Sequence, residues 1–242
     1  MKLGKLPKVD DARNLRMANY LDGRRLSKLP LSKSWSPAVH RWALFENDSI
    51  GCCTCASAAH AIQSWTANDG DEVIVPDAAV LEAYSAISGY DPENPETDRG
   101  ASIHRALKHF RTVGIGGRRI LGFAEIDPRD GATLMRCIHL FGGVLLGVAL
   151  PRSAQGQALW QDTTDRPWSW GGHAVWVPGY DPYIREVPTW GRLLRMTPEF
   201  LERYCDEAYA LVSHDWTGPD RTAPNGFELD ALVRSSPSKN ST

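Results

Sequence analysis

Residues 47–65 read NDSIGCCTCASAAHAIQSW, a polar loop that runs directly into a segment of small and apolar residues. The residues that recur there at steps of three and four are Ala56, Ala59, Ile62 and Trp65. This spacing places side chains on one face of an α-helix. The sequence therefore predicts a helix over residues 53–65 with one buried face, and its first turn contains Cys53.

Cys53 is the candidate nucleophile of this segment. The first turn of a helix has backbone N–H groups without intrahelical partners, and together with the helix dipole they stabilise a thiolate. Asn47 lies six residues upstream in the loop, so its side-chain amide can turn back toward the same point. We therefore predict that Asn47 and the Cys53 amide form an oxyanion hole, and that Gly51 contacts substrate.

A second motif, GGHAVWVPGYD at residues 171–181, places His173 at the head of an apolar strand. Its two glycines allow a neighbouring chain to approach closely. Imidazole suits a general base because it titrates near neutral pH, and beside a thiolate it is held as imidazolium. Alone, each motif more often belongs to a core, but their occurrence in one chain indicates a Cys–His pair.

The order of these motifs, completed by Thr189-Trp190-Gly191, resembles the papain-like cysteine peptidase superfamily. The resemblance implies an α+β fold, in which a helical lobe packs against an antiparallel β-rich lobe. It implies that Cys53 opens the long helix of the first lobe and that His173 lies on the second.

The resemblance also implies roles for individual residues. Asn47 takes the place of the oxyanion glutamine, and Gly172, Trp190 and Gly51 are expected to bind substrate. The family's imidazole-orienting asparagine falls on Pro188 or Thr189. The hydroxyl of Thr189 can accept a hydrogen bond from the ring, but a neutral oxygen stabilises an imidazolium less well than an amide or carboxylate does.

Two functions are open at this point. The first is a papain-like cysteine peptidase or amide hydrolase that acts on a peptide or protein substrate. The second is a papain-fold structural or binding protein with little or no turnover, such as a phage virion component. The segment also resembles phage and prophage papain-like proteins with a Gly-Asn-Asp-x-x-Gly-Asp-Cys-Thr pattern, in which Cys52 replaces an aspartate.

Other uses of the cysteines are weaker. Cys55 as nucleophile would place Ser49 at the oxyanion position, and Cys52-x-x-Cys55 has the spacing of a redox dithiol but lacks the preceding strand. Zinc would need Cys137, Cys205 or His60, which do not give two separated ligand pairs. We predict no metal and no cofactor.

Composition limits the class of protein. The 242 residues are 42% hydrophobic and 23% charged, with a net charge of −2, the balance of an ordinary globular protein rather than of a nucleic-acid or membrane binder. No apolar run approaches the ~20 residues of a membrane span, and none follows the N-terminal lysines. Three of the five cysteines are crowded together, so we expect reduced thiols and a cytoplasmic protein.

The predicted organisation has three parts. Residues 1–40 form an extended arm, which either straps the domain's own surface or grips a partner protein. Residues 41–218 form the papain-like domain, helical over 47–116 and β-rich over 117–214. Residues 219–242 form a C-terminal tail.

The predicted elements follow from periodicity and turn signals. Helices are expected at residues 12–21, 77–88, 102–113, 128–141 and 227–233, with Asp77 and Ser102 as N-caps. Strands are expected at residues 119–123, 144–150, 174–180, 184–189 and 208–213. Residues 235–242 are expected to be disordered, and Trp160, Trp168 and Trp170 either plug a core edge or line a cleft.

Overall fold

The computed structural model describes residues 1–21, 28–218 and 223. The predictions for residues 227–233 and 235–242 lie outside this range. The helices are α1 (Cys53–Asp69), α2 (Asp77–Ser88), α3 (Ile103–Thr112), α4 (Gly131–Phe141), α5 (Pro198–Tyr204) and α6 (His214–Thr217).

The strands are β1 (Leu15–Arg16), β2 (Lys33–Ser34), β3 (Ile120–Ile126), β4 (Val144–Leu150), β5 (Leu159–Trp160), β6 (Gly171–Val177), β7 (Gly179–Tyr180), β8 (Arg185–Thr189), β9 (Arg192–Met196) and β10 (Cys205–Ser213). They form one sheet in the order β1-β3-β10-β4-β6 and a second in the order β2-β7-β8-β9-β5. Neighbours are antiparallel except for the pairs β1 with β3 and β5 with β9. The predicted α+β fold is confirmed.

Helix α1 is buried on every side from Cys53 to Thr66, so the prediction of a single buried face was too narrow. The helix lies between α2 and α3 and the sheet that contains β6, rather than on the surface. Its many alanines and serines let these neighbours approach, and the Trp65 indole donates to the Phe141 carbonyl at 2.8 Å. The helix ends at Gly70, whose φ of 98° is readily accessible only to glycine.

The observed helix starts agree with the predicted ones only in part. The Ser102 side chain accepts from the Arg105 amide, which confirms its capping role. Asp77 is instead the first residue of α2, after Pro76, and its carboxylate complements the helix dipole. Helix α4 starts at Gly131 rather than at residue 128, because Asp130 caps it by accepting from the Thr133 amide.

The strand expected over residues 174–180 is divided between the two sheets. Strand β6 ends at Val177, β7 begins at Gly179, and Pro178 lies between them. Proline has no N–H to donate, so a continuous ladder is broken at that position. Strand β6 also begins earlier than expected, so His173 is its third residue rather than its head.

Strands β8 and β9 form a hairpin with a two-residue turn. Thr189 pairs with Arg192 across it, and Trp190 and Gly191 have φ of 49° and 69°. Positive φ at both positions is the geometry of the tight turns that match strand twist. The turn fixes Thr189 and Trp190 near the middle of β6, with which β8 is in contact.

Neither β9 nor α5 was predicted from the sequence.

The N-terminal arm packs against its own domain. The helix expected over residues 12–21 is absent, and β1 and a 3-10 turn at Met17–Asn19 take its place because Leu15 and Arg16 pair with β3. Residues 1–6 lie between the two halves of the domain, as described below. An arm that grips a partner protein stays a prediction. Within the described ranges, no helix is long and apolar enough to cross a membrane.

Candidate active site

Cys53 is the first residue of α1, and its side chain is fully buried. The backbone amide of Ala174, in β6, donates to Cys53 Sγ at 3.4 Å. The residue that follows His173 therefore contacts the sulfur directly. The fold thus brings together the two sequence motifs, which are 120 residues apart in the chain.

His173 is held on two sides. Its Nε2 lies 2.7 Å from Thr189 Oγ1, and its ring stacks on the Trp190 indole with centroids 4.5 Å apart and planes 15° apart. Among the described residues, Nδ1 has no hydrogen-bond partner. When Nε2 donates to Thr189, Nδ1 carries the free lone pair and can accept a proton.

Burial controls the charge of this pair. It raises the pKa of the Cys53 thiol to about 11, although the Ala174 amide and Lys5 act in the opposite direction. It also lowers the pKa of His173 to about 3, with a further contribution from the nearby His60 imidazole. Both groups are therefore neutral in this arrangement, whereas the sequence predicted an ion pair, because the closed site removes the water that would solvate the charges.

The N-terminal segment, residues 1–6, is what closes the site. Lys5 donates its amide to the Gly172 carbonyl at 3.0 Å. On the opposite wall, the Ala101 amide donates to the Gly4 carbonyl at 2.8 Å, and the Leu6 amide donates to the Ala101 carbonyl at 3.0 Å. The amides of Gly4 and Lys5 also face Cys53, where they act to lower the pKa of the thiol.

The glycines predicted to bind substrate contact this segment instead. A Cβ on Gly172 would lie 2.2 Å from the Lys5 carbonyl oxygen, and a Cβ on Gly51 would lie 3.3 Å from the Gly4 Cα. Trp190, also predicted to bind substrate, lies against the imidazole. Asn47 is buried and donates its side-chain amide to the Ile50 carbonyl at 3.0 Å. Its role in an oxyanion hole stays a prediction.

The sequence analysis missed the N-terminal segment because its short, irregular sequence carries no periodic signal. Asp206 and Glu207, which contact Lys5, were also not predicted as site residues, whereas Trp168, which contacts it as well, was expected either to plug a core edge or to line a cleft. Asp206 and Glu207 precede the strand predicted to start at residue 208, and β10 begins instead at Cys205.

The remaining cysteines are buried, apart from Cys205, which is half-buried and donates to the Glu207 carbonyl at 3.4 Å. Cys52 donates to the Phe45 carbonyl at 3.2 Å, and burial raises the pKa of Cys52 and of Cys55. All five cysteines are free. Within residues 1–21, 28–218 and 223, no group of three His, Cys, Asp or Glu side chains is placed to hold a metal ion.

Comparison with solved structures identifies the fold. Xylellain, a cysteine protease from Xylella fastidiosa, matches with a TM-score of 0.65 and 17% identity over 87% of this chain and 96% of that chain. Procathepsin B S9 from Trypanosoma congolense matches with a TM-score of 0.65 and 13% identity over 87% and 86%. Digestive procathepsin L 3 of Tenebrio molitor larval midgut matches with a TM-score of 0.58 and 16% identity over 86% and 75%.

The chain therefore has the fold of the papain-like cysteine proteases. No protein-family profile matches its sequence, and no curated protein matches it. At these identities the likeness extends to the fold, and what the chain does has to be argued from its own residues.

Proposed function

We propose that this protein is a thiol hydrolase that cleaves peptide or other amide bonds, with Cys53 as nucleophile and His173 as general base and acid. The observation that carries the proposal is the contact between Cys53 Sγ and the amide of Ala174, the residue that follows His173. The Nε2 of His173 is engaged by Thr189, and its Nδ1 has no partner within the described part of the chain. These contacts support the roles of a nucleophile, a base and a group that orients the base.

The chemistry begins when the N-terminal segment leaves and substrate enters. His173 Nδ1 accepts the proton of Cys53, and Sγ attacks the substrate carbonyl carbon. The negative oxygen that forms lies near the start of α1, where the Cys53 amide can donate to it. His173 then returns the proton to the leaving nitrogen, the C–N bond breaks, and a thioester remains on Cys53.

Water completes the cycle. His173 Nδ1 accepts a proton from water, the hydroxide oxygen attacks the thioester, and the C–S bond breaks to release a carboxylic acid and the Cys53 thiol. Throughout, the ring has to keep one orientation. Thr189 at Nε2 and the Trp190 face supply that constraint, in the place of the amide that the sequence lacks at residues 188 and 189.

The experiment is acyl transfer measured by intact mass and peptide mapping. The full chain carrying Lys5→Ala, which removes the side chain that anchors the N-terminal segment over Cys53, is mixed with p-nitrophenyl acetate, an activated ester small enough to enter a narrow cleft. We expect one acetyl group on Cys53, lost with time as the thioester hydrolyses, and none on Cys137. Acetylation that is no faster at Cys53 than at Cys137 would contradict the proposal.

A second candidate is a papain-fold binding or structural protein without turnover. It is favoured by the neutral state of the pair, since the pKa of the thiol is raised to about 11 and that of the imidazole is lowered to about 3 by burial. It predicts that Cys53 stays unreactive even when the N-terminal segment is displaced. A place in a phage particle, a partner for the arm and a cytoplasmic location are hypotheses that accompany these two candidates.

A further inference from the structure

Beside the candidate nucleophile, the structure contains a charged pocket that the hydrolytic chemistry does not use. The Lys5 side chain enters it and is fully buried. Lys5 Nζ lies 2.9 Å from Asp206 Oδ2 and 3.0 Å from Glu207 Oε1, and it also donates to the Leu6 carbonyl at 3.2 Å. We propose that this pocket is specific for a lysine side chain of a peptide, and that Lys5 occupies it as an internal ligand that keeps the cleft closed.

The pocket is built for a cation rather than for any long side chain. The Glu207 side chain is also fully buried, and its second oxygen accepts from the Tyr209 hydroxyl at 2.9 Å. A buried carboxylate is costly unless a positive charge pairs with it. Trp168 adds an aromatic face 4.7 Å from Lys5 Nζ, a geometry that attracts ammonium groups.

The shape of the pocket also matches the lysine stem. Gly147, in β4, forms part of its wall, and a Cβ at that position would lie 2.1 Å from Lys5 Cε and 2.5 Å from Glu207 Cγ. The absence of a side chain at Gly147 therefore leaves room for the end of the stem. Two carboxyl groups face the single ammonium; burial raises the pKa of Glu207, and the Lys5 ammonium opposes that rise, so a cationic occupant stabilises the charged carboxylate.

The main chain around Lys5 is bound as a peptide would be. The hydrogen bonds of residues 4–6 to Gly172 and Ala101 use backbone atoms only, so they carry no preference for side chains. Selectivity has to come from the pocket and from the tight approach at Gly4, where a Cβ would lie 1.8 Å from the Gly51 carbonyl oxygen. The preferred peptide therefore has a lysine preceded by a glycine.

The segment also explains why its own backbone is not attacked in this state. It presents the amides of Gly4 and Lys5 to Cys53, and an amide N–H donates to sulfur rather than accepting its electrons. An occupant bound in this way covers the thiol without reacting with it. Release of Lys5 from the pocket would both expose Cys53 and free the site for a peptide.

The first test measures binding without reference to catalysis. The full-length Lys5→Ala variant leaves the two carboxylates without their ammonium, and n-butylammonium chloride imitates the missing side chain. We expect n-butylammonium to raise the melting temperature of Lys5→Ala by several degrees, whereas 1-butanol and sodium chloride at matched concentrations do not. The triple variant Lys5→Ala/Asp206→Asn/Glu207→Gln is the matched control and should show no rise. An equal rise in both variants would overturn the proposal.

A second variant keeps the proposal testable if Lys5→Ala does not fold. Asp206→Asn/Glu207→Gln retains Lys5 but removes the charges that hold it, so the segment should leave the cleft. We expect carboxamidomethylation of Cys53 to become about ten times faster or more, while that of Cys137 does not change. Glu202→Gln, an exposed neighbour on α5, is the control. An unchanged rate at Cys53 in the double variant would contradict the role of the pocket.

The substrate preference rests on the proposed function and is tested separately. Lys5→Ala is assayed with a set of fluorogenic peptides, each of which has a single lysine at a different position. The control for each peptide has norleucine, which has no charge, in place of that lysine. At least one lysine peptide should be cleaved ten times faster than its partner. Cleavage without any such preference would overturn the pocket and leave the hydrolase intact. Stabilisation by n-butylammonium without any cleavage would support the pocket and count against the hydrolase.

Discussion

Cys53 and Cys137 are both completely buried thiols, but different parts of the chain cover them. Cys137 lies within α4, inside the hydrophobic core. Cys53 lies at the first turn of α1, beneath residues 4–6 and the Ala174 amide. Burial raises the pKa of both thiols, to about 11 for Cys53. The cover of Cys137 is the core itself, whereas the cover of Cys53 includes residues 4–6, which are bound to both walls of the cleft by backbone hydrogen bonds.

The electrostatic surroundings of Cys53 and Cys137 also differ. Backbone amides and the ammonium of Lys5 act to lower the pKa of Cys53. For Cys137 the Asp130 carboxylate acts to raise the pKa, the Arg136 guanidinium acts to lower it, and no backbone amide in the described part of the chain contributes. Fractional burial alone therefore does not separate a structural thiol such as Cys137 from the proposed nucleophile Cys53. The donors that point at the sulfur, and the element that covers it, carry the distinction.

The largest effect should come from removing each thiol in turn. Cys53→Ala should abolish peptide hydrolysis, a loss on the order of 10³-fold or more, because no covalent intermediate can form. Cys137→Ala should keep the rate of the folded protein, with only a loss of stability from the small cavity. Release of a fluorescent product, normalised to folded protein by circular dichroism, is the measurement. Equal losses in the two variants would remove the distinction between the thiols.

His173→Gln should have the next largest effect, because glutamine can still fill the space but cannot transfer a proton. We expect a loss of about 10²- to 10⁴-fold in hydrolysis, the range of general acid–base catalysis. Alkylation of Cys53 should slow, while alkylation of Cys137 should not respond. The exposed His214→Gln is the control. A rate for His173→Gln like that of the wild type would exclude His173 as the base.

The pH dependence of thiol alkylation sharpens the comparison further. With the N-terminal segment in place, the pKa of Cys53 is about 11, so about one Cys53 in a thousand is a thiolate at pH 8. The rate at Cys53 should therefore rise about tenfold per pH unit between pH 7 and 10, measured with iodoacetamide and peptide mapping. Asp206→Asn/Glu207→Gln should move this rise to lower pH. A plateau below pH 8 in the wild type would show that the closed state does not persist in solution.

The smallest effect concerns stability in acid. The pKa of His173 is about 3 in the folded chain and ordinarily about 6.5 in an unfolded one. Between these values the unfolded chain binds a proton that the native chain does not. The free energy of unfolding therefore falls as the pH decreases through this window, by at most about 1.4 kcal/mol per pH unit for this group. His60, whose pKa is lowered to about 4, should add to it.

Urea denaturation of the wild type and of His173→Gln at pH 7, 6, 5 and 4 measures this dependence. The variant should lose stability less steeply as the pH falls, and His214→Gln should follow the wild type. Parallel curves for the wild type and His173→Gln would mean that the imidazole is not buried in its neutral form.

Several elements of the fold followed from local sequence. Helix α2 has the predicted bounds, and α1 and α3 differ from prediction only near their ends, because capping residues and apolar spacing are local signals. Strand β9 and helix α5 were missed, since they have only five and seven residues, too few for a clear periodic signal. Pro178 could be read from the sequence. Its effect, which is that the chain passes there from one sheet to the other, could not be predicted because it depends on the residues that pack on either side.

The order of the motifs, and with it the α+β fold and the candidate site residues Cys53, His173 and Thr189, could be read from the sequence alone. This is possible because each motif combines a local backbone signal with a reactive side chain. Only the tertiary structure decided that both members of the pair are neutral and that Lys5 closes the site over an acidic pocket. Those properties depend on desolvation and on charges from residues 5, 206 and 207, which meet only when the chain is folded.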